Sequence, residues 1–188
     1  DWEGVERSRD YDMLGYFIEY GHEMGLKVFG SLNVFAGGHN FFDRGIIYGD
    51  KAHWQSTCYI NGELVPLSSV KTNYNGMLNP GYPEVQEYQI SILEEFVTKY
   101  PELDGLIFDR VRYDDIWADF SPLSLNDFAA YAGLDKAPKP EEIMTWYQDE
   151  NGKWRHRPEE HFLLWMEYRA KTIHDFIAKA ADKVHSVN

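Results

Sequence analysis

Hydrophobic residues along the 188-residue chain fall into two kinds of pattern. Three segments repeat at three- and four-residue steps, the spacing of one helical face. Leu14, Phe17, Ile18 and Met24 make the first, and Gly25 follows as a stop. The second starts at Pro83, which suits a first helical turn, and carries Val85, Ile92, Leu93, Phe96, Val97 and Tyr100 before Pro101 closes it. The third follows Pro158, with Phe162, Trp165, Met166, Ile173, Phe176, Ile177 and Val184 on one face. Arg169 interrupts that stripe; so long a side chain could snorkel to solvent or reach a carboxylate near a strand end.

The other pattern is the near-continuous apolar run. Residues 26–36 and 103–111 read as two parallel strands covered on both faces. The order helix, strand, helix, strand, helix is α/β. Helix-to-strand connections are short, whereas the strand-to-helix stretches 37–82 and 112–157 are long. In α/β barrels the latter build the active face. Trp54, Trp117, Trp146 and Trp154 all fall in those two stretches, off the helical stripes. Within the first, residues 54–70 read as a β-hairpin with Asn61-Gly62 as its two-residue turn.

Composition narrows the partners. A net charge of −13 repels phosphate backbones and argues against nucleic acid. Aromatic residues reach 16%, which suits a surface that stacks on sugar rings. The lone Cys58 excludes an internal disulfide and a cysteine zinc cluster. No apolar run approaches the length of a membrane span. No phosphate-binding glycine motif or nucleophile elbow occurs, and no histidine pair has helical metal-ligand spacing, so neither a cofactor nor a metal is expected. The chain opens on Asp1 without a signal-like segment, as a mature or a trimmed chain would.

The candidate chemistry sits at the end of the second apolar run, "GLIFDRVRYDD". Alternation puts Gly105, Ile107, Asp109 and Val111 on one side and Leu106, Phe108 and Arg110 on the other. If Leu106 and Phe108 meet the helices, Asp109 points into the mouth beyond the strand ends, partly desolvated, with Arg110, Arg112 or Tyr113 as partners. The plainer alternative is an Asp that pairs with Arg112 and ends the strand. The first run ends similarly: Asn33, then Gly37-Gly38, His39 and Asn40. His39 could bind a substrate hydroxyl or simply be a solvated loop histidine.

The stretch "MLNPGYPEVQEYQISILEEFVTKYPELDGLIFDRVRYDD" resembles the glycosyl-hydrolase-like family ten, relatives of the alpha-amylase type of glycosidase. The resemblance rests on Asn79, Pro80, Pro83, Glu84, Val85, Tyr100, Asp104, Gly105, Asp109, Arg112 and Tyr113. It implies a (β/α)8 TIM barrel acting on carbohydrate, extracellular or in the bacterial envelope or periplasm. Residues 1–188 would then be a fragment of one catalytic barrel domain, a partial barrel with roughly the third and fourth strands and their flanking helices. Two strands cannot close, so their edges would pair with the remainder of the barrel or another copy. The resemblance places Asp109 where relatives carry a nucleophile, although Ile107 stands where the alpha-amylase pattern has Arg. Glycoside cleavage needs two carboxyl groups. Asp109 is expected as nucleophile or charge stabiliser, and Asp114, Asp115 or a residue outside this chain as general acid. Arg112 and Tyr113 would orient Asp109; Asn33, His39 and Asn40 would bind the substrate; and Trp54 or Trp117 would stack on a ring. The rival reading is a non-catalytic carbohydrate-binding barrel. A metal-dependent barrel hydrolase is a third, and would require at least three carboxylate or imidazole ligands.

Overall fold

The computed structural model describes residues 10–72 and 74–187. They form a mixed α/β arrangement: α1 (Met13–Glu23), β1 (Phe29–Asn33), β2 (Ala36–His39), β3 (Arg44–Gly45), β4 (Thr57–Ile60), β5 (Glu63–Pro66), β6 (Asn75–Met77), α2 (Pro83–Lys99), β7 (Gly105–Asp109), α3 (Pro122–Ala132), α4 (Pro140–Ile143), β8 (Met144–Gln148), β9 (Trp154–Pro158) and α5 (Phe162–Val187). No described helix is long and apolar enough to cross a membrane.

The helices start and stop on local chemistry. Asp12 caps α1 by accepting from the Gly15 N–H at 3.0 Å, and Gly25 takes a left-handed φ of 72° just beyond it. Pro83 opens α2, and the Tyr100 hydroxyl at its far end donates to Asp12 at 2.9 Å, tying the two helices together.

β1 and β7 pair in parallel, from Phe29 opposite Gly105 to Asn33 opposite Asp109. Leu32, Leu106 and Phe108 pack against a core that includes Val85 and Leu93 of α2 and Phe176 and Ala180 of α5. The other face corrects the expectation of two-sided cover: Phe29 and Ile107 are each 52% exposed there, alongside exposed Ser31, Asn33 and Asp109. The stripe on α1 is likewise open, with Ile18 buried but Phe17 and Met24 exposed. The first apolar run is also shorter as a strand than its pattern suggests. After Asn33 the chain turns, and Val34 and Phe35 are apolar because they fill the core under that turn, not because the strand continues. Gly30 admits the helix layer: a Cβ there would lie 2.6 Å from the Phe96 ring.

Asp104, just before β7, accepts from the Val28 N–H at 2.7 Å and pairs with the His22 ring at 2.9 Å. These bonds, the backbone one first, hold its carboxyl below the ordinary carboxylate range. A carboxyl lowered on folding stabilises above the unfolded pKa of about 3.9 and loses that contribution as pH falls through the folded value. Asp104→Asn is therefore expected to lower the melting temperature at pH 7, with the gap to wild type closing below about pH 4. A gap of equal size at pH 2.5 would show that the ionised carboxylate is not what stabilises this junction.

The long strand-to-helix stretches carry their own structure. In the first, β2 lies between β3 and β6 in an antiparallel sheet, and β4 and β5 form a hairpin whose turn residues Asn61 and Gly62 have φ of 55° and 86°. The second holds α3, α4 and the β8–β9 hairpin, which sequence periodicity did not reveal. Their side chains join Tyr59 and the start of α5 in a second core of Phe120, Phe128, Ile143, Met144, Trp165 and Tyr168. Ser121 as N-cap, Pro122 at the first turn and left-handed Gly133 are the local signals that delimit α3.

Candidate functional site at the strand ends

The C-terminal ends of β1 and β7 place Asn33 and Asp109 side by side, both exposed on the face that the helices leave open. The Asp109 carbonyl accepts from the Val34 N–H at 2.9 Å, which holds the two strand ends together. Its carboxylate accepts from the N–H of Arg110 at 2.8 Å, not from Arg112 or Tyr113. That contact is possible because Arg110 adopts a left-handed φ of 54°, uncommon for a residue with a side chain. The same turn sends the Arg110 guanidinium to Tyr74: one Nη donates to the hydroxyl at 2.6 Å, and the group lies 5.4 Å from the ring centre.

Tyr74 belongs to an aromatic cluster. The His39 ring lies 5.8 Å from Tyr74, 5.5 Å from Phe41 and 4.7 Å from Phe42, and Phe41 lies 6.5 Å from Tyr74. Phe41, Phe42 and Tyr74 are all exposed. The structure thus links the Asp109 end of β7 to His39 through Arg110 and Tyr74. Arg110 was expected only as a partner of Asp109, and Tyr74, Phe41 and Phe42 were missed by sequence reasoning. The Phe-Phe pair directly after "GGHN" was the one signal that could have pointed there.

Other candidates lie elsewhere. Asn40 is 0% exposed, and its amide serves the loop itself: Nδ2 donates to the carbonyls of Leu67 and Asn75 at 3.1 and 3.0 Å, and Oδ1 accepts from the Tyr48 hydroxyl at 2.7 Å. Trp54 is buried against Tyr88, with Lys51 over its ring. Tyr113 is buried with the Arg169 guanidinium 4.5 Å from its ring centre, and burial pushes its phenol pKa up. Arg169 neither snorkels nor meets a carboxylate. It is 6% exposed and donates to the Asp115 carbonyl at 2.6 Å, and burial lowers its pKa to about 10. Asp114 and Asp115 are half-buried on that loop, where the Asp115 carboxylate accepts from the Ile116 N–H at 2.6 Å. Trp117 is half-buried 6.3 Å from Trp146, and Arg112 is exposed beside Tyr113 and Met166. Among the described residues no group of three or more His, Cys, Asp or Glu is arranged to hold a metal.

A buried carboxylate that sequence reasoning also missed holds the two long stretches together. Asp119 is fully buried and accepts from the Thr57 N–H, Asn79 Nδ2 (2.5 Å), the Ser121 N–H (3.2 Å), the Ser121 hydroxyl and the Ser124 hydroxyl (2.7 Å). Burial pushes its carboxyl up, and the hydrogen bonds oppose that. Asn79 also accepts from the Gly81 N–H at 2.9 Å, which fixes the turn into α2.

Comparison with known proteins adds an independent line. A family model described as glycosyl hydrolase-like 10 matches residues 2–188. An S-layer-related protein of Niallia circulans is 30% identical over 176 residues, which cover 90% of this chain and 11% of that relative. No solved structure was found to match.

Proposed function

We propose, from the premise that this chain belongs to the glycosyl hydrolase-like 10 family, that it supplies two neighbouring strand–helix units of a (β/α)8 barrel acting on carbohydrate, with Asp109 as one of its two cleft carboxyl groups. The observation that carries this reading is the pairing of Asn33 with Asp109 at the C-terminal ends of adjacent parallel strands, on the face free of helices. That end of a parallel sheet is where barrel enzymes assemble their sites. The remaining strands of the longer protein would pair with the open edges and cover Phe29, Ile107 and the exposed face of α1.

In the closed cleft, Asp109 acts as nucleophile or stabilises the oxocarbenium-like transition state. Its partner is the general acid, from the Asp114–Asp115 loop or from another strand. A carboxyl separation of about 5 Å gives retention and roughly 6.5–9.5 Å gives inversion. Asn33 hydrogen-bonds a sugar hydroxyl, and His39 and Tyr74 line the cleft. Arg112 and Trp117 lie on the rim, while Asn40, Trp54 and Tyr113 hold the loops that carry it. The relative's S-layer-related name supports a place in the cell envelope.

The second reading is a non-catalytic carbohydrate-binding barrel. It is favoured by the exposure of Asp109, whose hydrogen bond comes from its own neighbour's backbone and not from a second carboxyl group. The full-length protein separates the two readings on a panel of polysaccharides. Release of reducing ends is the expected result. Retention on a polysaccharide column without release makes it a binder, and neither retention nor release removes the carbohydrate reading altogether.

A further inference from the structure

The buried face of α2 reads Val85, Gln89, Leu93 and Val97. Three of these are core residues, and the glutamine breaks the pattern. Gln89 is 5% exposed, and among the described residues nothing hydrogen-bonds its carboxamide. Nor is that carboxamide among the unpartnered polar atoms sealed inside the protein. A buried amide without a partner lowers stability, so its presence calls for a cause.

Gln89 lines a cavity of about 340 Å³. Tyr88 and Ile92 of α2 line it too, with Leu32 from the end of β1 and Ala36 and Gly37 from β2. The pairing of β2 with β6 shifts between Ala36 and Gly38, a bulge that leaves Gly37 out of the ladder. The volume falls at the small end of the range for ligand pockets, roughly 300–1,000 Å³. No charged side chain lines the cavity, although 26% of the chain is charged.

That lining suits one ligand chemistry. A carboxamide donates through Nε2 and accepts through Oε1. Two adjacent hydroxyls on a sugar ring match it, one accepting and one donating. The aliphatic walls then take the C–H face of the ring, and Tyr88, 37% exposed, flanks it. An ion would lose its water here and meet no counter-charge. A purely apolar ligand would leave the amide as unmatched as before. Resting on the carbohydrate reading above, we infer that this cavity is an accessory binding site for one neutral sugar unit, with Gln89 as the residue that recognises it. Gln89 belongs to the helix layer, whereas Asp109 lies on the face the helices leave open. The site therefore holds the glycan chain and takes no part in its cleavage.

The test is binding of the full-length protein to immobilised cello-, manno- and xylo-oligosaccharides, with polygalacturonate fragments as the acidic comparison. A neutral probe is expected to bind, and Gln89→Leu to weaken that binding by about tenfold or more. Its melting temperature should hold or rise, because an apolar group of similar size replaces an unmatched amide. Ala36 is exposed on the lining, so Ala36→Phe fills the cavity from outside the core and is expected to produce the same loss. Neutral binding indifferent to both variants overturns this inference and leaves the carbohydrate reading intact, as does binding of the acidic fragments alone. A lower melting temperature for Gln89→Leu also overturns it, since the carboxamide then serves a contact within the longer protein. Binding of neither class overturns both.

Discussion

Asp109→Asn in the full-length protein is expected to cut glycan hydrolysis by about 10²–10⁴-fold, the range a positioned catalytic group supplies. Its melting temperature should stay within the shift of a surface substitution. The substitution keeps shape and removes charge. The carboxylate's hydrogen bond comes from the Arg110 N–H, and an asparagine carbonyl oxygen can accept it equally well. The side chain is exposed, so no packing is lost. A nucleophile or an electrostatic stabiliser of positive charge, by contrast, cannot work as a neutral amide. Paired measurements of hydrolysis and thermal unfolding separate the two effects. Unchanged turnover removes Asp109 from the chemistry, and a large fall in melting temperature would show that it holds the strand end instead.

Asp119→Ala is expected to cost on the order of 3–5 kcal/mol, because several buried donors lose their acceptor at about 1–3 kcal/mol each. The substitution leaves Asn79, Ser121, Ser124 and the Thr57 N–H without their shared acceptor. Asn79→Ala removes one donor and is expected to cost less, about 1–3 kcal/mol. The pH dependence has a definite sign. Burial raises the Asp119 carboxyl, so above the ordinary carboxylate range the folded state holds a proton that the unfolded state has lost. That part of the stability is present at low pH and is lost as pH rises through the raised value. Urea unfolding of wild type and both variants measures all three. An Asp119→Ala variant as stable as wild type would mean that the two long stretches are held together elsewhere.

Parts of this architecture were legible in the residue order because they depend on local periodicity. Pro83 and Pro101 bracket α2, and Asn61-Gly62 makes the hairpin turn. The alternation in "GLIFD" put Leu106 and Phe108 toward the helices and Asp109 on the opposite face, where the structure has them. Strand parity is a property of five consecutive residues, so it survives whatever the rest of the chain does. The motif "DGLIFDRVRYDD" also carried the family.

The roles of the polar and aromatic loop residues did not follow from sequence order. Asn40 and Asn33 are the same residue type near the end of one apolar run, yet one is locked inside the loop and the other is open beside Asp109. Trp54 fills a core, and Asp119 became the loop junction through partners 62 and 40 residues away. Arg110 found Tyr74 across 36 residues. A segment's own repeat determines which element it forms and which face it turns inward. Whether a polar side chain ends up buried, paired or free depends on which distant segment folds over it, and only the tertiary structure decides that.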